Sequence, residues 1–522
     1  MKNSSFAKQA AILAAATLLA RLIGFLYRLP LTNLIGDAGN ALHGVGYQFY
    51  MFLLVLSAAG LPGAISKMVS ERIALNKYRS AHAVFRTALV LAAGVGIAAA
   101  LILWIMAGFL AESFGFPGSV YAIRGVAPAI PLVSVMAVFR GYFQGMGNAT
   151  PTAVTQVVEQ FFNAIFKVLL AYLFIAQLEH AAGGAAAGTA ISAAIGLLVI
   201  FCIYKMLAPK ILERVKEDPA KMPEDSAAII KELLRITFPI ILGTAIFSIA
   251  NFIDIAMVGN RMTASGAFTQ AEIENLFGQL PGKFVVLTTL PISISTAIAT
   301  ASLPSIAGSK VVKDLKAVRQ KIANALRLST LISIPAAVGI GVLAEPILAL
   351  LFPNHPEGAI LLQVGSVSIV FLSLTQIATG SLQGIGKIMI PVGAAAAGAI
   401  IKIPLNHVLI ANPQINVLGA VISTCACYLL AATINLTAVK KFTGIKIDWI
   451  TIFAKPLIAA SMMGLASFVS HNVVYTITLG LNWLATIFAI GIGMTIYFVV
   501  LVVLGALSRE DMGRIPIIKR YV

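Results

Sequence analysis

Acidic side chains are scarce in this chain. Asp and Glu number 20 against 37 Lys and Arg in 522 residues, and charged residues make up 11% in all. That excludes an ordinary soluble domain, in which about a quarter of residues are charged. Cysteine is nearly absent. Cys202, Cys425 and Cys427 all lie in apolar runs without metal-ligand spacing, so they read as small core residues. No glycine-rich loop ends in Gly-Lys-Ser/Thr, which argues against nucleotide hydrolysis on this chain. Polar and apolar residues do not alternate strictly, which argues against a membrane β-barrel. The opening MKNSSFAKQA lacks a small-residue cleavage site and is expected to lead into a retained first span rather than a signal peptide.

What is present is hydrophobicity. Apolar residues make up 59% of the chain, and runs long enough to cross a bilayer recur from end to end. The expected fold class is an all-α polytopic membrane protein of about fourteen transmembrane helices. The spans are placed near 7–35, 43–69, 83–110, 122–144, 152–177, 184–208, 233–259, 277–306, 322–351, 358–384, 388–410, 417–439, 449–470 and 480–507. Segments after even-numbered spans are basic: Arg72, Lys77 and Arg79; Lys210, Arg214, Lys216 and Lys221; Lys310, Lys313, Lys316, Arg319 and Lys321; Lys440, Lys441 and Lys446; and Arg514, Lys519 and Arg520 at the tail. Segments after odd spans carry Asp37, Glu112, Glu179, Glu272, Glu274 and Glu357, with Arg261 the only clear base. The positive-inside rule then places both termini in the cytoplasm. The same rule, with anionic lipid, accounts for the net charge of +17 without a nucleic-acid partner.

The stretch 209–232 mixes both charge signs and contains Pro219 and Pro223, as a linker between two halves would. The halves resemble each other. Lys167 and Lys402 are 235 residues apart, and Gly184 and Thr189 match Gly419 and Thr424 at that offset. Gln144-Gly145-Met146-Gly147 matches Gln383-Gly384-Ile385-Gly386, and Leu61-Pro62 matches Leu290-Pro291. The expected organisation is two pseudo-symmetric six-helix lobes, 1–231 and 232–441, then helices 13 and 14 with a cytoplasmic tail, 442–522. Two repeats entering the membrane in the same direction are related by an axis along its normal, with substrate at their interface.

Ionisable residues at membrane depth usually face a bundle interior or a wet pathway. Here they comprise Arg21, Arg28, Arg124, Arg140, Lys167, Lys283, Lys402 and Lys455 against Glu159, Asp254 and Glu345. Eight cations cannot all be neutralised by three carboxylates. The interior is therefore expected to carry positive potential, which suits an anion. Arginine adds a planar fork that grips phosphate oxygens. Each arginine costs about 2.5–3.5 kcal/mol at a helix centre on the insertion scale. Arg21 and Arg28, seven residues apart, would share one face of a continuous helix, about 10 Å apart along its axis. Lys283 follows Pro281-Gly282, where a broken helix opens its backbone to a cavity. Arg124, Arg140, Glu345 and Lys455 have interface anchoring as the simpler alternative. Glu159 and Lys167, eight apart on one helix, invite a structural network. Asp254 is expected to pair with Lys402, which shares a face with Asn406 one turn on.

Three stretches carry a family resemblance: RLIGFLYRLPLTNLIGDAGNALHGVGYQFY at 21–50, LPGAISKMVSER at 61–72 and FRGYFQGMGNATPTAVTQVVEQFFN at 139–163. The chain resembles the oligosaccharidyl-lipid flippase group of the multidrug/oligosaccharidyl-lipid/polysaccharide (MOP) exporter superfamily. Within that group it resembles the MurJ-type lipid II flippases and the stage V sporulation protein B group. The resemblance spans essentially the whole chain. It implies movement of an undecaprenyl-pyrophosphate-linked sugar, lipid II first among them, from the inner to the outer leaflet of a bacterial cytoplasmic membrane. Other wall or capsule intermediates are the alternative, and a cation-coupled drug antiporter the remoter one. It implies no enzyme activity and no cofactor, and leaves membrane potential, protons and Na+ open as coupling partners. Membrane lipids and the wall-synthesis machinery are the implied partners. Arg21 and Arg28 match the family's first-span arginines. Lys283 falls where the family has a span-8 arginine, and Arg140 joins the cationic set. The span-2 arginine of Gram-negative relatives is missing from FLLVLSAAGLPG. Asp254, Asn406 and Thr424 sit where some members bind sodium. Ile410 replaces the second carboxylate, and Lys402 is expected to supply the charge instead. The groove beside the last two helices is implied to hold the prenyl tail.

Overall fold

The structure, a computed structural model, describes residues 2–58, 60–218 and 224–506. Lys221, Pro219 and Pro223 of the linker, and the tail with Arg514, Lys519 and Arg520, lie outside the described residues. Among the described residues there is no strand, and twelve helical stretches are long and apolar enough to cross a membrane. The chain forms two compact units, Met1–Gly282 and Lys283–Val522. This is a division by contacts; the division expected at 231/232 is one by repeats.

The first unit comprises α1 (Lys2–Leu26), α2 (Arg28–Ala58), α3 (Leu61–Ala74), α4 (Tyr78–Ser113), α5 (Val120–Val126), α6 (Ala129–Gly145), α7 (Thr150–Leu173), α8 (Leu178–Lys216), α9 (Ser226–Ser265) and α10 (Gln270–Gln279). Helix α7 runs along α8 and also meets α1, while α2 is flanked by α5, α8, α9 and α10. Small residues allow the close approaches. At Gly188 of α8 a Cβ would meet the Lys167 backbone nitrogen of α7 at 2.7 Å, the small-residue packing that substitutes for hydrophobic drive in lipid. Helix α2 kinks at Gly36, whose φ of 66° and ψ of −172° suit only glycine. Helix α10 starts in a capping box, with Thr269 and Glu272 bonding each other's backbone N–H, the arrangement that satisfies orphan donors at a helix start.

At Leu280–Phe284 the chain makes a π-helical turn. Pro281 offers no N–H to an α-helical ladder, so the register changes there. The second unit follows with α11 (Val285–Val311), α12 (Leu315–Val342), α13 (Ala344–Leu351), α14 (Ala359–Gly365), α15 (Val367–Gly384), α16 (Met389–Leu409), α17 (Leu418–Thr443), α18 (Lys455–Ile477) and α19 (Asn482–Val503). A second π turn, Ile450–Ala454, leads into α18, and α18 packs on α19 and α12.

The repeated Gln-Gly-X-Gly motif folds the same way twice. Gly147 and Gly386 have φ of 79° and 78°. The N–H of each bonds the carbonyl of the motif's own glutamine, at 2.9 Å for Gln144 and 3.0 Å for Gln383. The next residue closes each turn, Asn148 onto Phe143 and Lys387 onto Leu382. The match therefore extends from residue types to backbone conformation.

Candidate functional site

The first unit gathers most of the expected site residues around α7. Arg21 lies on α1 and is exposed; Arg28 is the first residue of α2 and is half-buried. Tyr27 separates the two helices. Tyr27 itself keeps the i→i−4 pattern, its N–H bonding the Ile23 carbonyl at 3.2 Å and its carbonyl accepting from the Leu31 N–H at 3.1 Å, so the helical path continues from one arginine toward the other. Tyr27 is buried, and its hydroxyl is 3.5 Å from Nζ of Lys167.

Lys167 is fully buried. Its ammonium lies 3.5 Å from Nε2 of His43, 5.4 Å from the Tyr27 ring centre and 5.0 Å from that of Tyr47. The His43 and Tyr47 rings stack at 6.1 Å. These are cation–π distances, worth about 2 kcal/mol or more when desolvated. Arg28 is within electrostatic reach of Tyr27 and Tyr47. Two cations thus share one neighbourhood, and no carboxylate among the described residues bonds Lys167.

Two turns back along α7, Glu159 has a partner. Nη2 of Arg140 donates to it at 2.8 Å, and Nε of Arg140 faces Thr155 at 3.3 Å. This pair ties α6 to α7, and both side chains are largely buried. The network expected around Glu159 and Lys167 is present as two separate arrangements, an ion pair and an aromatic cage. Asp254 lies half-buried on α9.

In the second unit, Lys283 is buried in the π turn, where Nζ donates to the Glu357 carbonyl at 2.9 Å and lies 3.8 Å from its carboxylate. Lys402 and Asn406 are buried on α16. The hydroxyl of Ser423 on α17 donates to Oδ1 of Asn406. Thr424, next along α17, donates to the Ala420 carbonyl of its own helix at 2.7 Å. Among the described residues, no cluster of three or more His, Cys, Asp or Glu could hold a metal ion.

Sequence similarity to the family described as polysaccharide biosynthesis protein covers residues 6–310, more than half of the 522. The chain belongs to the polysaccharide biosynthesis protein family. That places it in the MOP superfamily, and the MatE family matches residues 284–408. This polysaccharide biosynthesis family member is 29% identical over 451 residues to the lipid II flippase MurJ of Bacillus subtilis (strain 168), covering 83% of this chain and 82% of that one. It is 24% identical to stage V sporulation protein B of the same organism, over 100% of both chains. Its fold matches a solved structure of lipid II flippase MurJ in an inward closed conformation, with a TM-score of 0.70 and 15% identity over 94% of this chain and 98% of that one. It also matches an inward-facing multidrug resistance MATE transporter, with a TM-score of 0.69 and 18% identity over 81% and 94%.

In this family member the sequence expectation overlooked the partners rather than the charges. Tyr27 adjoins Arg28 in the very motif that carries the resemblance, and His43 and Tyr47 are one turn apart on α2. That i, i+4 aromatic pair was the available signal. Ser423 had no signal beyond its place beside Thr424.

Proposed function

We propose that the protein carries a polyprenyl-diphosphate-linked glycan across the bacterial cytoplasmic membrane, from the inner to the outer leaflet, with lipid II as the first candidate. The observation that carries this reading is the pairing of Arg28 with a caged Lys167. Two cations held together without a carboxylate on the lysine provide a place where an anion lowers the energy. Arg21, Arg28 and Lys283 neutralise the diphosphate in this reading, and Arg140 holds the α6–α7 wall beside them. The names of the MurJ and stage V sporulation protein B relatives support a wall-precursor flippase.

The prenyl tail would remain in lipid. An apolar groove of 440 Å³ in the second unit suits it, lined by Ile334, Gly341, Val367, Phe371, Phe453 and Leu457. The transport cycle is alternating access. A membrane potential negative inside favours outward movement of an anion by about 2.3 kcal/mol per charge per 100 mV. Asp254, Lys402, Asn406 and Thr424 form the proposed coupling set. If Asp254 and Lys402 act as a pair, Asp254→Asn with Lys402→Met transports better than either single variant. Equal damage in all three removes the pairing.

A second reading, the same chemistry with another wall or capsule glycan, is favoured by the full-length match to stage V sporulation protein B. The test is exposure of lipid II headgroups in the outer leaflet of vesicles carrying this protein, compared with Arg21→Ala/Arg28→Ala at matched expression. Protein-dependent exposure that the variant loses supports both substrate and site. No exposure from folded, oriented protein rejects lipid II and transfers the assay to other polyprenyl-linked glycans. Export of organic cations instead would point to an antiporter.

A further inference from the structure

Helix α4 faces outward along most of its length: in its most apolar stretch only 17% of residues are buried inside the protein. Near its first turns, Arg79, His82 and Arg86 follow at three- and four-residue steps, which stacks them on one face. The stripe then becomes apolar through Val90, Gly94 and Val95, with Val90 72% exposed. Together with Val215 of α8 and Ile230 of α9, these residues line a groove of 920 Å³. All of it belongs to the first unit.

The charges in this groove are unequal. Glu224 is the one acid among its described lining residues. Arg72, from α3, occupies that acid with Nε at 3.0 Å and Nη2 at 2.5 Å, and reaches Glu232 at 2.7 Å as well. Asp218 is likewise occupied, accepting the backbone N–H of Arg79 at 2.7 Å. Nothing comparable holds Arg86. Its side chain is exposed, with the rings of His82 and Tyr204 within electrostatic reach and no hydrogen bond or ion pair to a described residue.

We propose that this groove binds an anionic phospholipid, with the phosphodiester at Arg86 and one acyl chain along Val90, Gly94 and Val95. A long arginine side chain extends toward the headgroup level. A choline headgroup would bring a cation against the arginines. A soluble phosphate would leave the apolar wall uncovered. The simpler account is that Arg86 merely reaches water and selects no lipid. This inference does not depend on the transported substrate.

The experiment uses delipidated full-length protein titrated with phosphatidylglycerol or phosphatidylcholine, with bound lipid counted by native mass spectrometry. Phosphatidylglycerol is expected to bind the more tightly. Arg86→Gln should weaken it about fivefold, the worth of one arginine near a headgroup surface, while Arg86→Lys keeps most of the affinity. Gly94→Leu adds bulk where a Cβ meets open space. It should weaken both lipids alike and leave the preference intact. Neither position is packed against a neighbour, so an unchanged unfolding temperature in phosphatidylcholine marks the variants as folded. Equal phosphatidylglycerol binding by wild type and Arg86→Gln overturns the site. So does competition by glycerol phosphate at the lipid's own concentration, which would identify a soluble-phosphate site.

Discussion

The two lysines related by the internal repeat have come to rest in different surroundings. Lys167 on α7 and Lys402 on α16 are both buried, at 0% and 3% exposure. Around Lys167 stand three rings, from Tyr27, His43 and Tyr47, and beyond them a second cation, Arg28. One turn from Lys402 is an amide, Asn406, held by the hydroxyl of Ser423. The two lysines keep matching places in the chain, but their surroundings differ in kind. Ring faces attract a cation without neutralising it, whereas the amide and hydroxyl one turn from Lys402 bond each other directionally.

The largest expected effect breaks the cage itself. Tyr27→Ala removes a buried ring and should cost about 3–5 kcal/mol of stability, read as a fall in unfolding temperature in detergent. Tyr27→Phe keeps the ring and loses only a hydroxyl at 3.5 Å, so it should cost no more than about 1 kcal/mol. Equal losses would mean that the hydroxyl, not the ring, holds Lys167. A middle-sized effect tests the second copy. Asn406→Leu removes one of the two acceptors of the buried Ser423 hydroxyl, which keeps the Ala420 carbonyl at 3.0 Å, and should cost about 1 kcal/mol. Adding Ser423→Ala should recover part of that loss, and no recovery would show that the bond is incidental. The smallest effect sharpens the contrast. Lys167→Met places an apolar chain among rings and strands no carboxylate, so stability should change by less than about 1 kcal/mol or rise. Transport should fall nonetheless, because the anion loses a cation. A large loss of stability would show that the ammonium is structural.

Much of the architecture could be read without coordinates. Helical spans announce themselves as long apolar runs, and cations at membrane depth stand out because they are costly there. The Gln-Gly-X-Gly repeat was readable because a left-handed glycine after a helix end has a local sequence signature. Partners were not readable. Arg140 and Glu159 looked like an interfacial anchor and a member of a lysine network, and they are each other's ion pair across α6 and α7. Arg72 was one basic residue in a topology count, yet it is buried between Glu224 and Glu232, 152 and 160 residues later. Ser423, which drew no attention in the sequence, bonds Asn406.

By itself, then, the sequence determined that this is a helical membrane protein with an excess of cations over carboxylates at membrane depth. Hydropathy, charge count and short motifs are local or additive properties, and they survive without a fold. Only the tertiary structure decided that Tyr27 meets Lys167, that rings rather than acids surround that lysine, and that Arg140 is already paired. Those outcomes depend on which helix faces meet. A one-residue rotation of α7, about 100° at 3.6 residues per turn, would point Lys167 elsewhere without altering any local signal in the chain.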